Sequence, residues 1–200
     1  MDARFVKACS SPEDLPPPTL PEVAVAGRSN CGKSSLVNAF TGQSKLARTS
    51  STPGRTQQII YFTLSLPGAA PFHLVDLPGY GFAKTAKSRI RSWGRLVSHY
   101  LHERAPLRLF LLLNDVRRRP GAEERELVSW AAGRGVPLLF ILTKLDKLSK
   151  SQRPLALKAA RQELELELPP LGFSIKDPAG VKRLRQDVIR ALPPRDESAA

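Results

Sequence analysis

The stretch Gly27 to Ser35, GRSNCGKSS, constrains the fold more than any other part of the chain. It fits G-x-x-x-x-G-K-[ST], with Gly27, Gly32, Lys33 and Ser34 at the diagnostic places. The apolar run Val23 to Ala26 precedes it, and Leu36-Val37-Asn38-Ala39-Phe40 follows, continuing as a helix that closes near Gly42. Strand, loop and helix in that order form a cradle. Backbone N–H groups of the loop converge on an anion, and the helix start adds about half a positive charge at the same spot. In such a cradle Lys33 reaches the β- and γ-phosphates of a nucleotide and the Ser34 hydroxyl ligates magnesium.

The 200 residues suffice for one α/β domain with a substantial core. Lysine and arginine number 31 against 18 acidic residues, a formal charge of +13, which points to a polyanionic partner. The cysteines, Cys9 and Cys31, form no disulfide framework, and Cys31 lies inside the phosphate loop, so a reducing cytosol is expected. The first twenty residues carry charges and prolines unlike a secretory leader, and no apolar run approaches membrane-spanning length. A soluble, cytoplasmic protein without membrane contact is the expectation.

Residues 1 to 21, ending Leu-Pro-Pro-Pro-Thr-Leu-Pro, read as an extended arm. Residues 43 to 58 are polar and aperiodic, and read as a long mobile loop. Ile59 to Leu66 and Pro71 to Leu77, separated by Pro67-Gly68, predict an antiparallel hairpin. Ile90, Trp93, Val97, Tyr100 and Leu101 give one apolar face to a helix over 86 to 104, whose other face carries Lys87, Arg89, Arg91 and Arg95. Leu107 to Leu113 reads as a strand buried on both faces. A helix ending around Gly133 follows, then a strand over Val136 to Leu142 and a helix with Pro154 in its first turn, running through Leu164 and Leu166. A short strand at Phe173 to Ile175 and a closing helix from Val181 to Leu192 complete the domain, with a disordered tail expected from Pro193 to Ala200.

Alternating strands and helices indicate a three-layer fold: a six-stranded, mostly parallel sheet with one antiparallel edge strand and helices on both faces. Ligands bind such sheets at the carboxyl ends of the strands. The phosphate loop, Asp76-Leu77-Pro78-Gly79 and Thr143-Lys144-Leu145-Asp146 all fall on that edge. Asp76 can face magnesium through water, and the Gly79 N–H can meet a γ-phosphate. Asp146 can accept from both N1–H and the N2 amino group of guanine, a donor pair that adenine lacks. Lys144 would lay its stem along the ring. An ordinary P-loop ATPase or kinase is disfavoured by Thr143 to Asp146.

The motifs GRSNCGKSSLVN, LARTSSTPGRTQ, DLPGYGFAK, WGRL and TKLDKLSK together resemble the EngB family (also called YihA or YsxC) of TRAFAC-class bacterial GTPases over about residues 5 to 192. The resemblance implies a Ras-like P-loop GTPase domain over 22 to 192 that binds GTP and GDP with magnesium, hydrolyses GTP, and acts in large (50S) ribosomal subunit assembly and normal division and septation. The partner would be the large-subunit precursor with its rRNA, and the protein a monomer. An alternative is a division adaptor that nucleotide merely stabilises. By the same resemblance, nucleotide contacts fall on Gly27, Arg28, Ser29, Asn30, Cys31, Gly32, Lys33, Ser34 and Ser35, then on Gly54, Arg55, Thr56, Gln57 and Gln58. They continue on Asp76, Leu77, Pro78 and Gly79, on Thr143, Lys144, Leu145 and Asp146, and on Phe173, Ser174 and Ile175. Thr56 becomes the switch threonine, joining Ser34 and Asp76 around magnesium. Lys33, Thr56, Gly79 and Asn30 become the catalytic group, and Asn30 is a candidate for holding a potassium ion, as in similar loops of cation-stimulated GTPases. Two positions depart from the family pattern: Ile175 stands where Phe-Ser-Ser is usual, and Arg118 replaces the histidine of an Asp-x-Arg-His-x-Pro element. The basic residues Lys84, Lys87, Arg89, Arg91, Arg95 and Arg117 to Arg119 are the expected ribosomal contact.

Overall fold

The computed structural model describes residues 1–47, 58–80 and 94–194. The expectations for Gly54 to Gln57, for Lys84, Lys87, Arg89, Ile90, Arg91 and Trp93, for most of the loop over 43 to 58 and for the tail beyond 194 lie outside the described residues.

The strands are β1 (Asp2–Cys9), β2 (Glu22–Gly27), β3 (Ile59–Ser65), β4 (Phe72–Asp76), β5 (Leu107–Asp115), β6 (Leu138–Thr143) and β7 (Leu171–Gly172). They form one sheet in the order β1-β3-β4-β2-β5-β6-β7. β3 is antiparallel to both its neighbours, and the other pairings are parallel. The sheet therefore has seven strands rather than six, and its reversed strand sits one place in from the edge. The extra strand comes from the supposed arm. Ala3 and Cys9 are buried there and Phe5 packs edge-on against Phe62, while Phe5 and Val6 stay largely exposed. A register shift between Phe5 and Lys7 interrupts this outer strand, as is common where an edge must not recruit another chain.

Helices α1 (Lys33–Thr41) and α5 (Pro178–Ala191) cover one face of the sheet. Helices α2 (Gly94–Glu103), α3 (Ala122–Arg134) and α4 (Gln152–Glu163) cover the other. Alternation along β2 and β5 creates both cores. Val23, Val25, Leu111 and Leu113 join Leu36, Phe40, Leu184 and Val188 on the first face. Ala24, Ala26, Phe110 and Leu112 join Val97, Tyr100, Leu127 and Phe140 on the second. Phe40 is fully buried, so truncating it to alanine should cost about 3–5 kcal/mol.

Several boundaries differ from the pattern reading. α3 runs past Gly133 and ends at Gly135, whose N–H caps the carbonyls of Ala131 and Ala132. α4 ends at Glu163, so Leu164 and Leu166 reach the core from the turn beyond it. The last strand is Leu171–Gly172, and Phe173 to Ile175 form the loop after it. The carboxyl ends of β2, β4, β5, β6 and β7 consequently open onto one rim.

Candidate nucleotide site

The phosphate loop is held from below by close packing. A Cβ at Gly27 would lie 2.6 Å from both Cys31 Sγ and the Leu113 carbonyl oxygen, so only glycine fits. Cys31 turns into the core, and burial raises its thiol pKa; this residue shapes the loop through its backbone. Its N–H donates to the Arg28 carbonyl at 3.1 Å. Lys33 folds back along the loop, with Nζ 3.4 Å from the Gly27 carbonyl. Ser34 and Ser35 lie in the first turn of α1, after Gly32. Asn30 is exposed with φ of 62°, a backbone state asparagine tolerates in turns.

Asp76 ends β4 beside this loop. It is buried, its Oδ1 has no hydrogen-bond partner among the described residues, and burial lifts its pKa to about 6 while the Lys33 ammonium pulls it down. The Leu77 N–H donates to the Val25 carbonyl at 3.0 Å, which carries the β2–β4 pairing past the strand end. Pro78 and Gly79 follow, and at Gly79 any Cβ would lie 2.7 Å from Ser29 Oγ and 3.1 Å from Lys33 Nζ. The absence of a side chain therefore lets the Gly79 backbone meet the phosphate loop. The Tyr80 carbonyl accepts from the Ser29 N–H at 3.1 Å, and its hydroxyl donates to Glu124 Oε1 at 2.9 Å. Arg28 pairs with Glu123 Oε2 at 3.1 Å. The first turn of α3 thus grips one residue from each of the two phosphate-side motifs. Pattern reading missed these glutamates; the only local signal was the Gly121-x-x-Glu124 start of a helix, where Glu124 accepts from the Gly121 N–H at 2.7 Å.

At the other end of the rim, Thr143 is buried and its hydroxyl donates to the carbonyls of Cys31 and Asn114, tying β6 to the phosphate loop and to β5. Lys144 Nζ donates to the Asn30 carbonyl at 2.7 Å and pairs with Asp115 Oδ2 at 3.0 Å. The Leu145 N–H donates to the Phe173 carbonyl at 3.1 Å, which fixes the two base-side segments to each other. Ser174 Oγ donates to Asp146 Oδ1 at 2.7 Å, and this bond, with Lys176 nearby, lowers the Asp146 pKa. Asp146 is therefore ionised and oriented, the state that accepts two donors from guanine. Ile175 is 58% exposed, so the apolar replacement at this position leaves the Ser174–Asp146 pair intact.

A model of the family described as 50S ribosome-binding GTPase matches residues 22–144. A protein of Syntrophus aciditrophicus described as "probable GTP-binding protein EngB" is 42% identical over 187 residues, spanning 94% of this chain and 93% of its own length. The chain belongs to the EngB family. A protein of Solibacter usitatus with the same description is 41% identical over 195 residues, covering 98% of each chain. The crystal structure of a "probable GTP-binding protein engB" superposes with a TM-score of 0.65 at 21% identity, over 85% of this chain and 97% of that one. Era, solved with MgGDPNP and a 16S ribosomal RNA segment, gives 0.69 at 22% identity over 88% of this chain and 58% of that one. Both show the shared P-loop GTPase fold.

As an EngB protein the chain is a GTPase. The rim assembles Gly27 to Ser35, Asp76 to Gly79, Thr143 to Asp146 and Phe173 to Ser174, while Gln58 donates instead to the Ser10 hydroxyl at 2.8 Å, at the β1–β3 edge. The segment Asp115 to Pro120 is held by side chains of Asn114 and Asp115 bonding its main-chain groups, together with one backbone bond. Asn114 Nδ2 donates to the Arg118 carbonyl at 2.7 Å, and the Arg118 N–H donates to the Asp115 carbonyl at 2.8 Å. Arg118, where the resemblance implies a histidine, is exposed, and the bonds that shape the loop at this position are made by its backbone N–H and carbonyl rather than its side chain.

Proposed function

We propose that this EngB GTPase is a cytoplasmic switch whose GTP-bound form engages the assembling large ribosomal subunit and whose action supports normal division and septation. The observation that carries the reading is the match of residues 22–144 to the 50S ribosome-binding GTPase family. The net charge of +13 is the complement an rRNA surface requires.

Magnesium fits the phosphate end. Among the described residues no group of three or more His, Cys, Asp or Glu side chains could hold a metal alone. Magnesium characteristically takes one or two protein oxygens and completes its shell from phosphates and water. The Ser34 hydroxyl would supply one such oxygen and Thr56, which lies outside the described residues, the other, while Asp76, whose buried Oδ1 has no hydrogen-bond partner among the described residues, would face the ion through water. When bound, the ion neutralises charge developing on the phosphates. Lys33 orients the β- and γ-phosphates, and the Gly79 N–H senses the γ-phosphate. Asn30 would be the residue to hold a potassium ion, which would add positive charge beside the phosphates.

The test is co-sedimentation with ribosomal particles in GTP-analogue, GDP and nucleotide-free conditions. Association that depends on the γ-phosphate is expected. Indifference to nucleotide, or no association, would favour an adaptor that nucleotide only stabilises.

A further inference from the structure

Beside the nucleotide site the structure holds a second concavity. A groove of about 480 Å³ runs between residues 116–120 and α4. Its floor is apolar, made by Val116, Leu142, Ala156 and Ala160, and its rim carries Arg118 and Arg119. Both arginines are exposed, and among the described residues neither guanidinium has a protein partner, whereas Arg117 is bound by Asp115 at 2.6 Å. The loop that presents them is held by the Asn114 and Asp115 bonds, so little ordering remains to be done on binding. Arg117 and Arg118 also line a smaller recess of about 90 Å³ against Ser29, Asn30 and Lys144, which makes the groove contiguous with the phosphate loop.

We propose that this groove binds a single-stranded RNA segment, with phosphates on Arg118 and Arg119 and an unstacked base against the alanine-rich wall of α4. The inference rests on the ribosomal reading for the identity of the polyanion. The chemistry selects among polyanions. Unpaired guanidiniums are suited to bidentate phosphate contacts, and a small-residue apolar floor accepts the face of a base or ribose. A duplex keeps its bases paired and stacked, out of reach of a slot of this size. An acidic peptide would place carboxylates over the apolar floor and near Glu163, another lining residue, which already pairs with Arg125 at 2.6 Å.

The experiment measures fluorescence anisotropy of a short labelled single-stranded RNA, its duplex and a polyglutamate peptide, over a salt series, with the full chain. R118A/R119A should weaken single-stranded RNA binding about tenfold and reduce the log–log salt slope by about 1.4, two phosphates at roughly 0.7 each. R118K/R119K should recover part of that affinity. Ala159 is exposed and lines the groove, so A159F should weaken RNA binding by filling the slot while leaving the salt slope unchanged. Thermal unfolding of each variant at the wild-type midpoint establishes that the fold is intact. Wild-type RNA affinity in R118A/R119A would overturn the proposal, as would equal losses on duplex, or polyglutamate displacing the RNA at comparable affinity. Co-sedimentation separates this idea from the reading it rests on. If the wild type ignores large subunits while R118A/R119A still loses the oligonucleotide, the ribosomal reading falls and the groove stands. If the wild type associates but the variants bind RNA normally, the groove alone falls.

Discussion

Lys144 reaches back over the phosphate loop to donate to the Asn30 carbonyl at 2.7 Å while its charge is met by Asp115 at 3.0 Å. One side chain from the Thr143–Asp146 motif is therefore tied to the Gly27–Ser35 loop. Removing its ammonium in Lys144→Met deletes a charge-assisted hydrogen bond, a change of about 1.5–3 kcal/mol. GTP and GDP affinity should fall together, by roughly tenfold or more at 1.4 kcal/mol per decade. Titration with fluorescent nucleotides measures both; a loss confined to GTP would place the lysine's role at the γ-phosphate instead.

Asp115 is the counterion of that arrangement. Burial works against its charge, but hydrogen bonds from Arg117 and Lys144 prevail and hold its pKa well below the usual carboxylate range. A folded pKa below the unfolded value near 3.9 means stabilisation that is full above about pH 4 and lost as pH falls toward the folded pKa. Asp115→Asn should therefore be less stable than wild type at pH 7, and the gap should narrow in acid. Urea unfolding at pH 7 and pH 3 reads the difference, and a gap constant with pH would remove the electrostatic account.

On the base side, Ser174 sets the orientation of Asp146 at 2.7 Å. Asp146→Asn should lower GTP affinity and admit xanthine nucleotides, because the amide replaces an acceptor by a donor. Ser174→Ala should lower guanine affinity more mildly, by about 1 kcal/mol, through the lost bond that positions the carboxylate. Ile175→Ser should change little, since that side chain is exposed. Calorimetry with GTP and XTP across the three variants tests the order, and a large gain from Ile175→Ser would show that the hydroxyl is required.

The alternation of β2 and β5 and the apolar faces of the helices are strong local signals, and the sheet's central architecture was legible from them. The phosphate loop, Asp76 to Gly79 and Thr143 to Asp146 were legible because each motif ends a strand on the same rim. β1 was not, since an edge strand buries only Ala3 and Cys9 and leaves Phe5 and Val6 exposed, which breaks the period-two pattern. Asp115, Glu123 and Glu124 were also missed as site elements. Their partners, Lys144, Arg28 and Tyr80, lie far away in sequence, and only the folded sheet edge brings them together.

Away from the rim, Arg104 donates to Glu22 Oε1 through Nε at 2.9 Å and Nη2 at 2.6 Å, and Glu22 is fully buried. Arg104→Leu leaves that buried carboxylate without its cation and should cost about 3–5 kcal/mol. Replacing both partners by apolar residues should recover much of the loss. Denaturant unfolding of the two single variants and the double variant gives the coupling. Additive losses would mean the pair is not a unit.

The rate of hydrolysis turns on Tyr80. Many GTPases place a glutamine after Gly79 to orient the attacking water. Here Tyr80 is 4% exposed and its hydroxyl is committed to Glu124, so this side chain presents no amide to water at the γ-phosphate. Intrinsic turnover is expected to be slow, and activation must come from elsewhere. Asn30 is exposed at the mouth of the loop and its carbonyl accepts from Lys144; on the proposal above, its side chain would hold a potassium ion. Single-turnover hydrolysis should then be faster in potassium than in sodium, and Asn30→Ala should erase the difference without altering GDP affinity. Equal rates in both salts, unchanged in Asn30→Ala, would end the potassium role, and stimulation only by added large subunits would place the activating group on the ribosome.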